Sequence, residues 1–378
     1  MKRASPSAAA AAARRWLVGS LCFGICLVLL SPFFWAIYRV MVFGTMPRDD
    51  YAPFLLWLLG QKGGAPPESP YAYRILSMVA AVPFFRGLPL LRFSKLPASL
   101  SAEYIRATAA LAALAYTATV GAAFLAWRLA RHCRLPPGEA MLAGALLFVL
   151  CWYSQIYGID PLAILGVVAL LSVLDRRHWF TIGIFISIIV NEKICMVLVL
   201  WLAIRWLLCG RDRARFRPAL LSSLAALGAY LLMVLLVHVP GHSYQLRPTD
   251  YISTILANLS VQLSARGVML NLVPTLVCAC VAVVGWPAIR QNDIFDRVDI
   301  LIIPTLVVLA LTVTHKFQIG RVVMHAAPIF VVPAAAAAGI WRERAARFIA
   351  GRGGVDRHPG ETGSVDPISI VPKPHTPA

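Results

Sequence analysis

The chain has 378 residues, of which 59% are hydrophobic and 14% charged, and its mean hydropathy is +0.73. Soluble domains carry about 25% charged and about 45–50% apolar residues, so this composition excludes an ordinary soluble globular protein and predicts a polytopic membrane protein. The 35 Lys and Arg against 17 Asp and Glu, a net charge of +18, read as topology rather than nucleic-acid binding: cytoplasmic loops are enriched in Lys and Arg, and no basic motif here is interleaved with aromatics.

Residues 1–15 carry Lys2, Arg3, Arg14 and Arg15 around an alanine run and are expected to be a cytoplasmic segment. The apolar stretch 16–38 is too long for a signal-peptide core and reads as an uncleaved signal anchor. A long outer loop, 40–103, follows, with apolar pieces at 51–60 and 71–91. Further apolar runs cover 104–127, 140–157, 161–174, 179–191, 194–208, 218–238, 268–286, 299–314 and 322–341, with a polar outer loop near 239–267. The expected class is therefore all-α, with about ten membrane-inserted helices in a transmembrane domain over 16–350. From 351 to 378 the composition shifts to Gly, Pro, Ser and His, which predicts a disordered cytoplasmic tail.

The stretch 71–91 decides the topology. If it does not cross, the clusters Arg128/Arg131/Arg134, Arg176/Arg177, Arg211–Arg217, Arg290/Arg297 and Arg342–Arg352 share the cytoplasmic side with the N-terminus, as the positive-inside rule demands. If it crosses, all of them move outside. Residues 71–91 are therefore expected to be an amphipathic or re-entrant piece of the outer loop. The runs 161–174, 179–191 and 194–208 are short for a hydrocarbon core of roughly 30 Å. Their polar tips then imply a water-filled cavity open to the outside. The eight cysteines lie in or beside apolar runs and read as small packing residues rather than as a disulfide or metal framework.

On this topology the unusual polar residues gather on the outer face, where ionisable groups at membrane depth signal function. Asp49-Asp50 is either a divalent-cation and general-base pair or a solvated loop start. Asp160, in Tyr157-Gly-Ile-Asp-Pro161, and the Asn191-Glu192-Lys193 tip lie on the same side. Glu192 and Lys193 either pair with each other or with Asp160, or orient an anionic lipid headgroup. His315, Lys316 and Arg321 form either a cationic rim suited to phosphate or an interfacial snorkelling set. Arg74, in Pro70-Tyr-Ala-Tyr-Arg74-Ile-Leu76, either lines a substrate groove or anchors the loop. His242 and His325 read as neutral structural histidines.

A cytoplasmic N-terminus, one span, and a long first outer loop that opens on an acidic pair and holds interfacial helices resemble the glycosyltransferase-C superfamily, integral membrane enzymes that use polyprenyl-phosphate-linked sugars. The Tyr71-Ala-Tyr-Arg74-Ile-Leu76 segment and the Asn191-Glu192-Lys193 tip are similar to features of bacterial members with about ten spans. The resemblance implies inverting transfer of a mannose- or other hexose-type sugar from a polyprenyl-phosphate donor to a glycan or lipid acceptor outside the cytoplasm. It implies a plasma (inner) membrane location with both termini cytoplasmic. Asp49 or Asp50 would be the general base, with a divalent cation as an optional helper, while Arg74, Asp160, Glu192, Lys193, His315, Lys316 and Arg321 would bind substrate. Competing readings are a transporter or lipid flippase with an outward-facing charged cavity, a glycan polymerase, and a non-catalytic assembly subunit.

Overall fold

The computed structural model describes residues 51–67, 73–87, 101–155, 159–209, 213–237, 251–262, 264–291, 294–313 and 319–352. All regular structure among them is helical, as the composition predicts. Two helices are long and apolar enough to cross a membrane, Ala102–His132 and Arg213–Leu236; several shorter ones are equally apolar. The chain divides into two units, residues 1–338 and 339–378.

Two helices fall in the stretch expected to be the first outer loop, α1 (Tyr51–Leu58) and α2 (Ile75–Gly87). They pack with the start of α3 (Ala102–His132) into a small core of Tyr51, Phe54, Leu55, Met78, Phe85 and Leu111, which Ile159 completes. Helix α3 is set at its N-terminus by Ser101, whose side chain accepts from the Tyr104 amide at 3.1 Å, and by Glu103 in the first turn; Arg131 and His132 suit the negative end of its dipole. Its 31 residues span about 46 Å. A stripe of small buried residues, Ala107, Ala110, Ala115, Ala118, Ala122 and Ala126, lets α4 (Pro137–Gln155) and α5 (Asp160–Ser172) approach it closely.

Helices α6 (Arg177–Val190) and α7 (Glu192–Leu208) form a hairpin turned on one residue. Asn191, in extended backbone, ends α6 and caps α7 by accepting from the Lys193 amide at 3.2 Å. Helix α8 (Arg213–Leu236) packs on both arms. The predicted outer loop near 239–267 instead contains helix α9 (Tyr251–Gln262), whose Ser, Thr, Asn and Gln residues dilute its hydropathy below that of its neighbours. A π-helical segment, Val268–Leu272, then leads into α10 (Val273–Gly285). The run 299–314 opens as a 3₁₀ turn, Arg297–Leu301, before α11 (Ile302–Val313). The run 322–341 is broken at His325-Ala326 into α12 (Ile319–Met324) and α13 (Ala327–Arg352), the latter belonging to the first unit up to Ala338. In the second unit, the described end of α13 is exposed and carries an Arg347–Glu343 ion pair at 3.8 Å.

Helix α2 packs against the start of α3 and the end of α6. Near its start, Ser77 donates to the carbonyl of Val190 at the hairpin tip at 2.6 Å; near its end, the carbonyl of Phe85 accepts from Arg106 at the start of α3 at 2.8 Å. Both ends are thus pinned to the same end of the helix layer, and at about 20 Å its 13 residues are too short to span a bilayer.

Candidate functional site

The residues expected on the outer face converge where the structure describes them. Asp160 occupies the first turn of α5, beside Pro161, where the positive end of the helix dipole favours a carboxylate. It is fully buried and takes cations from two other elements: Lys193 Nζ donates to Oδ1 at 3.1 Å and Arg321 Nη2 to the same oxygen at 2.9 Å, while Arg321 Nε donates to Oδ2. His325 completes this group, with Nε2 3.7 Å from Asp160 Oδ1. Among the described residues, both ring nitrogens of His325 and the amide Nδ2 of Asn191 are buried without a close hydrogen-bond partner. A buried polar group left so costs about 1–3 kcal/mol, which a ligand could recover.

One residue along from Lys193, Glu192 turns to a different partner. Arg74 Nε donates to Glu192 Oε2 at 2.7 Å, Nη2 donates to Oε1, and Nη1 donates to the Tyr51 hydroxyl. Burial disfavours the Arg74 charge, but the Glu192 carboxylate more than offsets this and holds the guanidinium firmly protonated. Burial also pushes the Tyr51 phenol up, against the pull of the Arg74 charge. Tyr73, next to Arg74, donates to the Val237 carbonyl at 2.8 Å and meets the Tyr230 ring edge-on at 6.1 Å, fixing the loop segment to the end of α8. Arg321 is positioned from behind by Asn271 in the π-helical segment, whose Oδ1 accepts from the Gly320 amide at 3.3 Å. Local π geometry often accompanies a functional site.

Several expectations change. Glu192 pairs with neither Lys193 nor Asp160, because adjacent helical residues point about 100° apart; Lys193 reaches Asp160 and Glu192 reaches Arg74. Arg321, expected in a cationic rim with His315 and Lys316, contacts Asp160. Arg74 is buried and tied to Glu192 and Tyr51. Asp49, Asp50, His242, His315 and Lys316 lie outside the described residues. Among the described residues no three His, Cys, Asp or Glu side chains are grouped so as to hold a metal ion. The six described cysteines are free thiols.

Sequence reasoning missed Tyr51 and Asn271, which carry no charge and stand in unremarkable contexts. It also missed a second buried polar group at the opposite end of α7. There Arg205 lies 3.7 Å from Asp299 and 3.5 Å from Asp296, donates to the Ile294 carbonyl at 3.2 Å and stacks 4.9 Å from the Phe216 ring, while Trp201 donates to Asp299 at 2.9 Å. The signal was present: Arg205 is the only charged residue in the run 194–208. No family model, curated protein or solved structure matches the chain.

Proposed function

We propose that the chain is a polytopic membrane protein of the plasma (inner) membrane, with cytoplasmic termini, and that it is a glycosyltransferase. On this reading it moves a hexose-type sugar from a polyprenyl phosphate to a glycan or lipid acceptor at the outer face. The observation that carries this is the buried cluster at one end of the helix layer, where, among the described residues, Arg74 holds Glu192 while Lys193 and Arg321 converge on Asp160. Tyr51, the residue after Asp50, is part of that cluster, which supports a role for the acidic pair beside it.

In the reaction, the acceptor hydroxyl attacks the anomeric carbon as the bond from that carbon to the phosphate oxygen breaks. The electron pair leaves with the polyprenyl phosphate, and the hydroxyl proton passes to Asp49 or Asp50. Charge grows on the phosphate in the transition state, so donors such as Lys193 and Arg321 placed beside it would favour that state over the ground state. Their carboxylate partners fix their geometry in advance.

The test is sugar transfer from a labelled polyprenyl-phosphate hexose in membranes holding the full chain. Loss of transfer in Asp49→Asn or Asp50→Asn, at unchanged protein level, is the expected outcome; full activity in both single variants and in the double variant overturns the mechanism. The Arg205–Asp299 group favours a second reading, a lipid flippase or transporter, because it gives α7 buried charges at both ends. Lipid translocation in vesicles without sugar transfer would select that reading.

A further inference from the structure

At the end of α8 away from the cluster, a cavity of about 160 Å³ opens between α6, α8 and the turn that precedes α6. Its floor is apolar, with Phe180 and Ala219 buried. Its polar wall is made of Arg177, Arg215, Asp175, Thr181 and Ser222, the two hydroxyls 2.9 Å apart.

Two helix N-termini meet there with the wrong charge for their dipoles. Helix α6 begins at Arg177 after Arg176, with no side-chain cap and no acid in its first turn; α8 begins at Arg213, with Arg215 and Arg217 following and again no acid. Helix N-termini favour anions, and the Arg177 and Arg215 side chains add positive charge to the two that border the cavity. Asp175 supplies one negative charge, but it is spent on Arg215, which it holds through two bonds of 2.9 and 3.0 Å. That contact fixes the Arg215 guanidinium in the cavity wall beside Arg177, whereas Arg213 turns to the Trp206 and Leu207 carbonyls at the end of α7, at 3.0 and 3.2 Å.

We propose that this cavity binds the phosphodiester headgroup of an anionic glycerophospholipid, an inference that rests on the membrane reading above but not on sugar transfer. The volume equals several water molecules at about 30 Å³ each, enough for a headgroup phosphate but not for acyl chains. The chains have surface elsewhere: Trp179, Ile182 and Ile186 form an exposed apolar stripe running up α6, and Leu221 and Leu224 another on α8. A free phosphate would gain nothing from those stripes, whereas a lipid gains burial along them. The Arg pair matches the phosphate, the mutually bonded Thr181 and Ser222 hydroxyls keep one proton to donate to a phosphate oxygen, and the basic end of the layer is the cytoplasmic one under the positive-inside rule.

The experiment takes the full chain from nanodiscs of mixed phosphatidylglycerol and phosphatidylcholine and counts retained lipids by native mass spectrometry. One phosphatidylglycerol is expected to be retained in preference to phosphatidylcholine. Arg177→Gln with Arg215→Gln is expected to weaken that retention at least about tenfold, the loss of one charged hydrogen bond or more. Thr181→Val with Ser222→Val leaves the charges intact and should weaken it less; melting curves establish that each variant folds. Equal retention of both lipids, or retention unchanged in both variants, overturns the proposal. Displacement of the lipid by inorganic phosphate overturns it in favour of a soluble anion. Failure of the chain to insert into nanodiscs would defeat the membrane reading itself, while normal insertion without preferential retention defeats only the lipid site.

Discussion

Arg74 and Glu192 meet across 118 residues of sequence, both nearly excluded from solvent, and neither is neutral when left alone. Removing one partner strands a buried charge, at a cost of about 3–5 kcal/mol, whereas replacing both with apolar residues of similar size costs much less. Thermal unfolding in detergent should therefore show Glu192→Gln and Arg74→Met each strongly destabilised, and Arg74→Met with Glu192→Leu largely recovered; a double variant as unstable as the sum of the singles would mean the pair is not the dominant contact. Tyr51 gives a pH signature. A phenol raised above its ordinary 10.0 by burial holds its proton more tightly in the folded chain. Stability is then unaffected below about pH 10 and falls as pH rises through the unfolded value. Tyr51→Phe should flatten that alkaline fall in a pH series of melting temperatures.

Helix packing depends at two points on the absence of a side chain. A Cβ on Gly285 would lie 2.8 Å from the backbone nitrogen of Ala334 and 2.9 Å from the Pro333 carbonyl carbon, so α10 and α13 would have to separate. A Cβ on Gly166 would lie 2.4 Å from Ile194 Cδ1, the far end of a side chain that can rotate away. Gly285→Ala is expected to lower stability by about 1–3 kcal/mol, and Gly166→Ala by less, in the same unfolding assay. At this scale most of the fold was legible, because a run of apolar residues long enough to pack declares itself through mean hydropathy. What escaped were elements whose signal is not hydropathy. Helix α9 is diluted by amides and hydroxyls, and the break between α12 and α13 carries no Gly at all. The site was legible as a set of charges on one face, since each charge is costly there, but not as pairs. Pairing is decided by helix rotation and by the descent of the Tyr73-Arg74 segment onto α8, neither of which leaves a local mark in sequence.

Across the molecule, α8 links the two polar regions. Arg215 near its start borders the basic cavity, and Val237 just past its end holds Tyr73 beside the charge cluster. The separation of about 33 Å along the helix matches a hydrocarbon core of roughly 30 Å. Single cysteines introduced in a cysteine-free chain at Lys62, Arg134 and Arg213 test the arrangement with an impermeant thiol reagent. Lys62 should react in intact cells, and Arg134 and Arg213 only after permeabilisation. Reaction of all three from outside would require α2 to cross and the charge assignment to be reversed.

The contact between Asp160 and Arg321 spans 161 residues, and it carries a consequence for biogenesis. During synthesis, α5 is complete and exposed to the insertion machinery long before Arg321 leaves the ribosome, so Asp160 waits with Lys193 as its sole cationic companion from the paired set. A chain truncated before Ile319 would keep that half-neutralised carboxylate at membrane depth. Degradation of such truncated chains, relieved when α5 carries Asp160→Asn, would identify this one aspartate as the marker by which an unfinished molecule is recognised.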